Sequence, residues 1–285
     1  MNLTLKCLFV LLMGVSCISR GDLAEDVKDY DLNKVPYKLY EPDKVFKLHY
    51  DLQEISGLTY LSENKLGVIE DETGKFYILN SLTGDVEKKI KFEKGGDYEG
   101  AELLNGVVII MKSNGHFFRF NLLDEEPKTE AFKSAFSSKN DLEGLGVWNG
   151  KLLVATKASA AVNDNELKGK ALYLYDFDSI DLLLNFHHNQ LKEFIKDRKH
   201  FNSIKDFDPS GVAVHPETSD IYILSADHAL VVFDKKLNLK EVVKLDKKIF
   251  YQPEGICFSP NGQLFISSEG GENRGKLFTF NKLTE

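Results

Sequence analysis

Apolar and polar positions along this chain alternate in short runs, and turns containing Gly or Asn separate the runs. That pattern marks short β-strands with one buried face. The last group of runs is Gly255-Ile256-Cys257-Phe258, the turn Pro260-Asn261-Gly262, Leu264-Phe265-Ile266-Ser267-Ser268 and Lys276-Leu277-Phe278-Thr279-Phe280. The first is Gly57-Leu58-Thr59-Tyr60, Leu66-Gly67-Val68-Ile69 and Lys75-Phe76-Tyr77-Ile78-Leu79, then the turn Thr83-Gly84 and a fourth run from Val86 to Phe92.

Each group opens on one short motif. Its copies are Glu54-Ile55-Ser56-Gly57-Leu58, Asp97-Tyr98-Glu99-Gly100-Ala101, Asp141-Leu142-Glu143-Gly144-Leu145, Asp208-Pro209-Ser210-Gly211-Val212 and Gln252-Pro253-Glu254-Gly255-Ile256. Their glycines are 43, 44, 67 and 44 residues apart. Four short strands per ~40–45 residues make the blade of a β-propeller. Five motifs predict an all-β chain, a single five-bladed β-propeller over residues 44–285. The fifth blade ends after three strands, and the alternating run from Val45 to Tyr50 predicts the strand that completes it. Closing the ring in this way leaves no free sheet edge.

The long gap holds the exception. Leu183, Leu184, Phe186, Leu191, Phe194 and Ile195 recur at roughly helical spacing, and Gln190 to Lys199 lacks Gly and Pro. An amphipathic helix inserted near the outer strand of the third blade is expected there. Ser159 to Gly169 is polar and predicts a long loop over one face.

Hydrophobic residues at 42% and aromatics at 11% suffice for one sizeable core. The formal charge of −8 argues against nucleic acid, which requires a basic face, and favours a cation over an anion as a small partner. The motifs GxSxG, HExxH, the Walker loop and Cys-x-x-Cys do not occur.

Candidate chemistry lies in the motif itself. First strands of propeller blades line the axis, and residues two apart on a strand share a face. The position before each glycine holds Ser56, Glu99, Glu143, Ser210 and Glu254, and the position three before holds Glu54, Asp97, Asp141, Asp208 and Gln252. Seven of these ten are carboxylates and none is basic. Crowded carboxylates cannot all ionise without a counter-charge, and Ca2+ accepts such mixed oxygen ligands. Glu99, Glu143, Glu254, Asp97 and Asp141 are the expected ligands. The competing expectation is that Asp and Ser ahead of a turn only bond backbone N–H groups, above all in the outer row. A second column, at the ends of the second strands, holds Asp71, Lys112, Lys157, Ala226 and Glu269. There Lys112 and Lys157 could pair with channel acids or receive an anionic ligand. His116 and His228 follow second strands, where a general base would be useful, although a surface role is commoner.

Residues 1–16 read as a signal peptide: Lys6, an apolar run from Cys7 to Val15, then Gly14-Val15-Ser16 before a cut at Cys17. The site resembles a lipobox in which Cys17 takes a lipid, with Gly14 where Leu is usual. Residues 17–43 are polar, carry Pro36 and Pro42, and are expected to tether the body to a membrane. Cys257 is expected to be a buried core residue.

The motifs at 54–58, 141–145, 208–212 and 253–256 resemble those of the SdiA-regulated (YjiK/CarP-like) family of bacterial envelope β-propeller proteins. The resemblance covers about residues 45–285 and extends distantly to NHL-type and SMP-30-like propellers. It implies a bound Ca2+ and a place in the cell envelope, and it supplies no reaction. Ser56 and Ser210 mark two blades without the inner glutamate. The expected protein is therefore a monomeric, exported, lipid-anchored, calcium-binding module with a small-molecule or protein ligand at its channel mouth. The alternatives are a Ca2+-dependent lactonase or phosphoesterase, and a metal-free scaffold.

Overall fold

A computed structural model describes residues 35–124, 127–163, 166–197 and 207–283. The expected signal peptide and Cys17 lie outside them.

Strand β1 (Lys44–Lys47) precedes the ring. The first blade is β2 (Ile55–Ser62), β3 (Lys65–Glu70), β4 (Lys75–Asn80) and β5 (Val86–Lys91), and the second is β6 (Tyr98–Leu104), β7 (Val107–Lys112), β8 (His116–Asn121) and β9 (Glu130–Lys133). The third is β10 (Leu142–Trp148), β11 (Lys151–Thr156), β12 (Lys170–Tyr175) and β13 (Ile180–Phe186). The fourth is β14 (Pro209–Val214), β15 (Ile221–Ser225), β16 (Ala229–Phe233) and β17 (Leu239–Lys244). The fifth is β18 (Gln252–Phe258), β19 (Leu264–Glu269) and β20 (Lys276–Phe280), completed by β1.

Each blade is an antiparallel sheet of four strands, and β1 pairs with β20 from Lys44 opposite Thr279 to Lys47 opposite Lys276. The closing strand is shorter than expected, because Tyr50–Leu52 coil into a 3-10 turn. The inner strands β2, β6, β10, β14 and β18 pack in sequence, and β18 returns to β2. The protein is a five-bladed propeller.

The core is divided among the junctions between blades. Five separate apolar clusters fill them, such as Val68, Tyr77, Cys257 and Phe265 between the first and fifth blades. The motif glycines explain how tightly the inner strands close. A Cβ on Gly100 would lie 2.4 Å from Leu145 Cβ, and one on Gly211 would lie 2.5 Å from the Glu254 carbonyl oxygen. Both contacts reach the next inner strand, so the crowding around the axis is the reason for glycine.

The insertion in the third gap splits differently from the sequence expectation. Leu183, Leu184 and Phe186 belong to strand β13, which pairs with β12 across a bulge, and only His188–Ile195 form helix α1. Residues 198–199 of the expected helix lie outside the described residues. Periods of 2 and 3.6 overlap over so few positions, and the neighbouring strand decides between them. Leu191 and Ile195 bury the helix against Phe186, Phe207 and the third and fourth blades.

The expected tether also ends earlier than residue 43. Val35, Tyr37 and Leu39 are buried against the fourth and fifth blades, and the Tyr37 hydroxyl donates to the Gly262 carbonyl at 2.7 Å. His215 Nε2 lies 3.0 Å from the same hydroxyl. An alternating Val-x-Tyr-x-Leu run between polar neighbours supplies the apolar face for this docking. No helix among the described residues is long and apolar enough to cross a membrane.

Candidate functional site

The starts of the inner strands and the ends of the second strands meet at one rim of the channel. Gln252 lies opposite Glu269, Tyr98 opposite Lys112, and Leu142 opposite Thr156. Every inner strand is bulged here, with register breaks at Tyr98/Gly100, Leu142/Gly144, Pro209/Gly211, Ile55/Leu58 and Pro253/Ile256. The residue before each glycine therefore escapes the ladder. A bulge bends the strand and re-aims the extra side chain, which turns a repeated backbone irregularity into a ring of side chains.

Two members of that ring are structural. Ser56 Oγ donates to the Tyr98 carbonyl and Ser210 Oγ to the Pro253 carbonyl, each at 2.7 Å, stitching one blade to the next. The other three are Glu99, Glu143 and Glu254. Glu143 and Glu254 are buried and Glu99 is half-buried. Glu143 Oε1 pairs with Lys157 Nζ at 2.9 Å, and Glu254 Oε1 accepts from Gln252 Nε2 at 2.8 Å.

Burial raises the pKa of Glu99, and the charges of Glu143, Asp97 and Glu254 raise it further. Glu254 is pushed well up, again by burial first and then by Glu143. Glu143 is raised by burial although Lys157 opposes the shift. On Lys157 burial works against the charge, but Glu143, Asp141 and Glu254 hold its pKa up. Two unit charges 4 Å apart repel by ~4 kcal/mol at an effective dielectric of ~20. One lysine cannot neutralise this group, so protons must stay on part of it at neutral pH.

The five residues expected as ligands, Glu99, Glu143, Glu254, Asp97 and Asp141, thus gather at one rim, within electrostatic reach of one another. Asp97 also takes a hydrogen bond from Ser113 Oγ. Asp141 has a left-handed backbone, φ 51°, a conformation that Asp tolerates better than most residues. In the remaining outer row, Asp208 pairs with Lys170 at 2.8 Å and Gln252 reaches Glu254.

The second-strand column contributes more than expected. Burial and the charges of Glu54, Glu72 and Glu70 raise Asp71 to about 6. Burial, Asp71, Glu54 and Glu143 raise Glu269 to about 7. Both join the acidic rim, and Gln252 Nε2 bridges Glu254 to Glu269, at 3.1 Å from the latter. Their place in the sequence column was visible; the shared Gln252 was not. Lys112 lies 5.2 Å from the Tyr98 ring centre and pairs with no carboxylate among the described residues. His228 Nε2 lies 3.0 Å from the Tyr251 carbonyl, and His116 Nδ1 lies 2.9 Å from Asn114 Oδ1.

The donor set, carboxylates with an amide, suits a hard cation. Among the described residues, however, no group of three or more His, Cys, Asp or Glu side chains is arranged so that it could hold a metal ion. Glu143 and Glu254 already hold Lys157 and Gln252.

The family model for SdiA-regulated proteins matches residues 50–273, which is most of the chain and every motif. The chain belongs to the SdiA-regulated family. None of the curated proteins matches this family member significantly. Among solved structures it is similar to glutaminyl cyclase from Myxococcus xanthus, at 13% identity and TM-score 0.58, covering 86% of this chain and 97% of that one. It is also similar to a luciferin-regenerating enzyme, at 12% identity and TM-score 0.50, covering 85% and 95%. A streptogramin B lyase matches at 12% identity and TM-score 0.44, covering 80% of this chain and 65% of that one. At such identities the SdiA-regulated protein shares a fold with the first two of these enzymes, and no activity passes to it.

Proposed function

We propose that this SdiA-regulated propeller is a calcium-binding module of the bacterial envelope. It would be exported by residues 1–16 and anchored by a lipid on Cys17. The observation that carries the reading is the set of three bulge-borne glutamates, Glu99, Glu143 and Glu254, crowded at one rim with Lys157 as their cation. Ca2+ would be held by these three with Asp97 and Asp141. It supplies positive charge and an electrophilic surface for a ligand at the mouth. Binding requires Glu99 to give up its proton, and Glu143 and Glu254 to turn from Lys157 and Gln252. Lys112, without a carboxylate partner among the described residues, would meet an anionic group on that ligand at the same rim.

Binding is favoured over hydrolysis because the candidate bases are engaged elsewhere: His228 against backbone carbonyls and His116 against Asn114. Calorimetric titration of metal-stripped protein with Ca2+ tests the reading. Saturable binding that weakens at least tenfold in Glu143→Gln and in Glu254→Gln is expected. An unaltered affinity in both variants would remove the ion from the rim. Turnover of a lactone or aryl-ester panel that requires Ca2+ would instead support the hydrolase. Anchoring has its own test, since Cys17→Ser should release the chain from the membrane fraction.

A further inference from the structure

The opposite end of the channel carries different chemistry. Two residues beyond the motif glycines come Thr59, Glu102, Gly146, Ala213 and Cys257. Four are small and one is a glutamate. The small residues leave an open cavity of about 330 Å3 to which all five inner strands contribute, with Tyr60, Glu102, Val147, Val214, Cys257 and Phe258 among its walls. At ~30 Å3 per water molecule, that is room for ~11 waters or a ligand of similar bulk.

Glu102 is the one acid among the described lining residues, and no Lys, Arg or His accompanies it. Its Oε2 accepts from Thr59 Oγ1 at 2.9 Å and from the Leu103 N–H at 3.1 Å. Oε1 has no protein donor among the described residues. Of the other hydroxyls, Thr59 donates to Glu102 and Ser259 donates to Asn261, while that of Tyr60 has no protein partner among the described residues. The cavity thus offers a ligand one strong acceptor, set between apolar walls and the rings of Tyr60 and Phe258. A cation gains from the Glu102 carboxylate, which repels an anion.

We propose that this basal cavity binds a small apolar amine, its ammonium on Glu102 Oε1 and its hydrocarbon part against Val147, Val214 and Phe258. Burial raises Glu102 to about 8 in spite of its two hydrogen bonds. The empty pocket is therefore protonated at neutral pH, and an entering ammonium displaces that proton. The titratable groups that face Glu102 are Tyr60 from β2 and Cys257 from β18, both shifted up by burial and neutral across this range. The linings from β10 and β14 bring none. An alkylamine, with a pKa near the ~10.4 of lysine, stays charged throughout.

The test uses phenethylamine, with 2-phenylethanol and 3-phenylpropanoate as its neutral and anionic counterparts. Calorimetry at pH 6, 7 and 8 follows binding, and comparison with Glu102→Gln separates the basal cavity from the acidic rim. Saturable 1:1 binding of the amine is expected, tightening by up to tenfold per pH unit below the pKa of Glu102. Glu102→Gln should weaken it at least tenfold and flatten the pH dependence. Val214→Phe, which narrows the cavity, should weaken amine and alcohol alike, with the melting temperature of each variant as the folding control. Three results would overturn the proposal: no saturable amine binding, equal amine affinity in Glu102→Gln, or alcohol binding as tight as amine binding in the wild type. The last would make protonated Glu102 a donor to neutral ligands.

Discussion

The two ends of the axial channel are built from the same five strands and differ in how their glutamates are surrounded. At the rim where the strands begin, bulges present Glu99, Glu143 and Glu254 beside outer-row acids, and each carboxyl hinders ionisation of the next. At the base, three residues beyond Glu99 along β6, Glu102 stands alone among apolar walls, and burial is again the leading cause of its raised pKa. Burial leads at both ends, and the rim alone adds the charges of neighbouring carboxylates. The repeat produces the rings, and departures from the repeat make each ring specific: Ser56 and Ser210 at the rim, Glu102 at the base.

The largest effect should come from a change that damages both ends together. Gly100→Val forces a Cβ to within 2.4 Å of Leu145 Cβ on the next inner strand. Overpacking of this kind costs ~1–3 kcal/mol. At ~2–4 °C of melting temperature per kcal/mol for a chain of this size, thermal unfolding should show a loss of several degrees. A variant that melts like the wild type would mean that the inner strands are not packed as described.

A smaller effect separates the ends by pH. Glu254 has a raised pKa in the folded chain, so its stabilising contribution is intact below its unfolded value of ~4.3 and is lost as pH rises through the folded value. Glu254→Gln removes that loss. Without calcium, the variant should melt above the wild type, by a margin that widens from pH 5 to pH 8. The expected margin is on the order of 1 kcal/mol, or ~2–4 °C. Calcium should shrink or reverse it. A margin that does not change with pH would contradict the shared charge at the rim.

The smallest effect distinguishes the serine blades from the glutamate blades. Ser210→Ala removes one hydrogen bond to the Pro253 carbonyl. It should cost ~1 kcal/mol in urea unfolding and leave calcium affinity unchanged. A tenfold loss of affinity would make Ser210 part of the ion site.

Much of this was legible in the sequence because the propeller is periodic. The glycine spacing counted the blades, and the run beginning at Val45 announced the closing strand. The acids at 97, 99, 141, 143 and 254 could be placed at one rim because they share positions in the motif. What was not legible depends on contacts between distant segments. Val35, Tyr37 and Leu39 look like part of a polar tether until the fourth and fifth blades supply a surface. Leu183, Leu184 and Phe186 fit a helix until β12 pairs with them. The bulges are invisible as letters, although they decide that the residue before each glycine leaves the ladder. Glu102 did carry a signal, as the one large acid in a column of small residues. It becomes meaningful only when that column is seen to wall a cavity.

The most direct measurement is the number of protons released when Ca2+ binds. Titrating metal-stripped protein at pH 7 in two buffers of different ionisation enthalpy gives that number. Saturable binding with release of about one proton per ion, lost in Glu99→Gln, is the result expected if the rim holds a proton where a cation belongs. Failure of Ca2+ to bind, or binding with no proton released in either buffer, would contradict it.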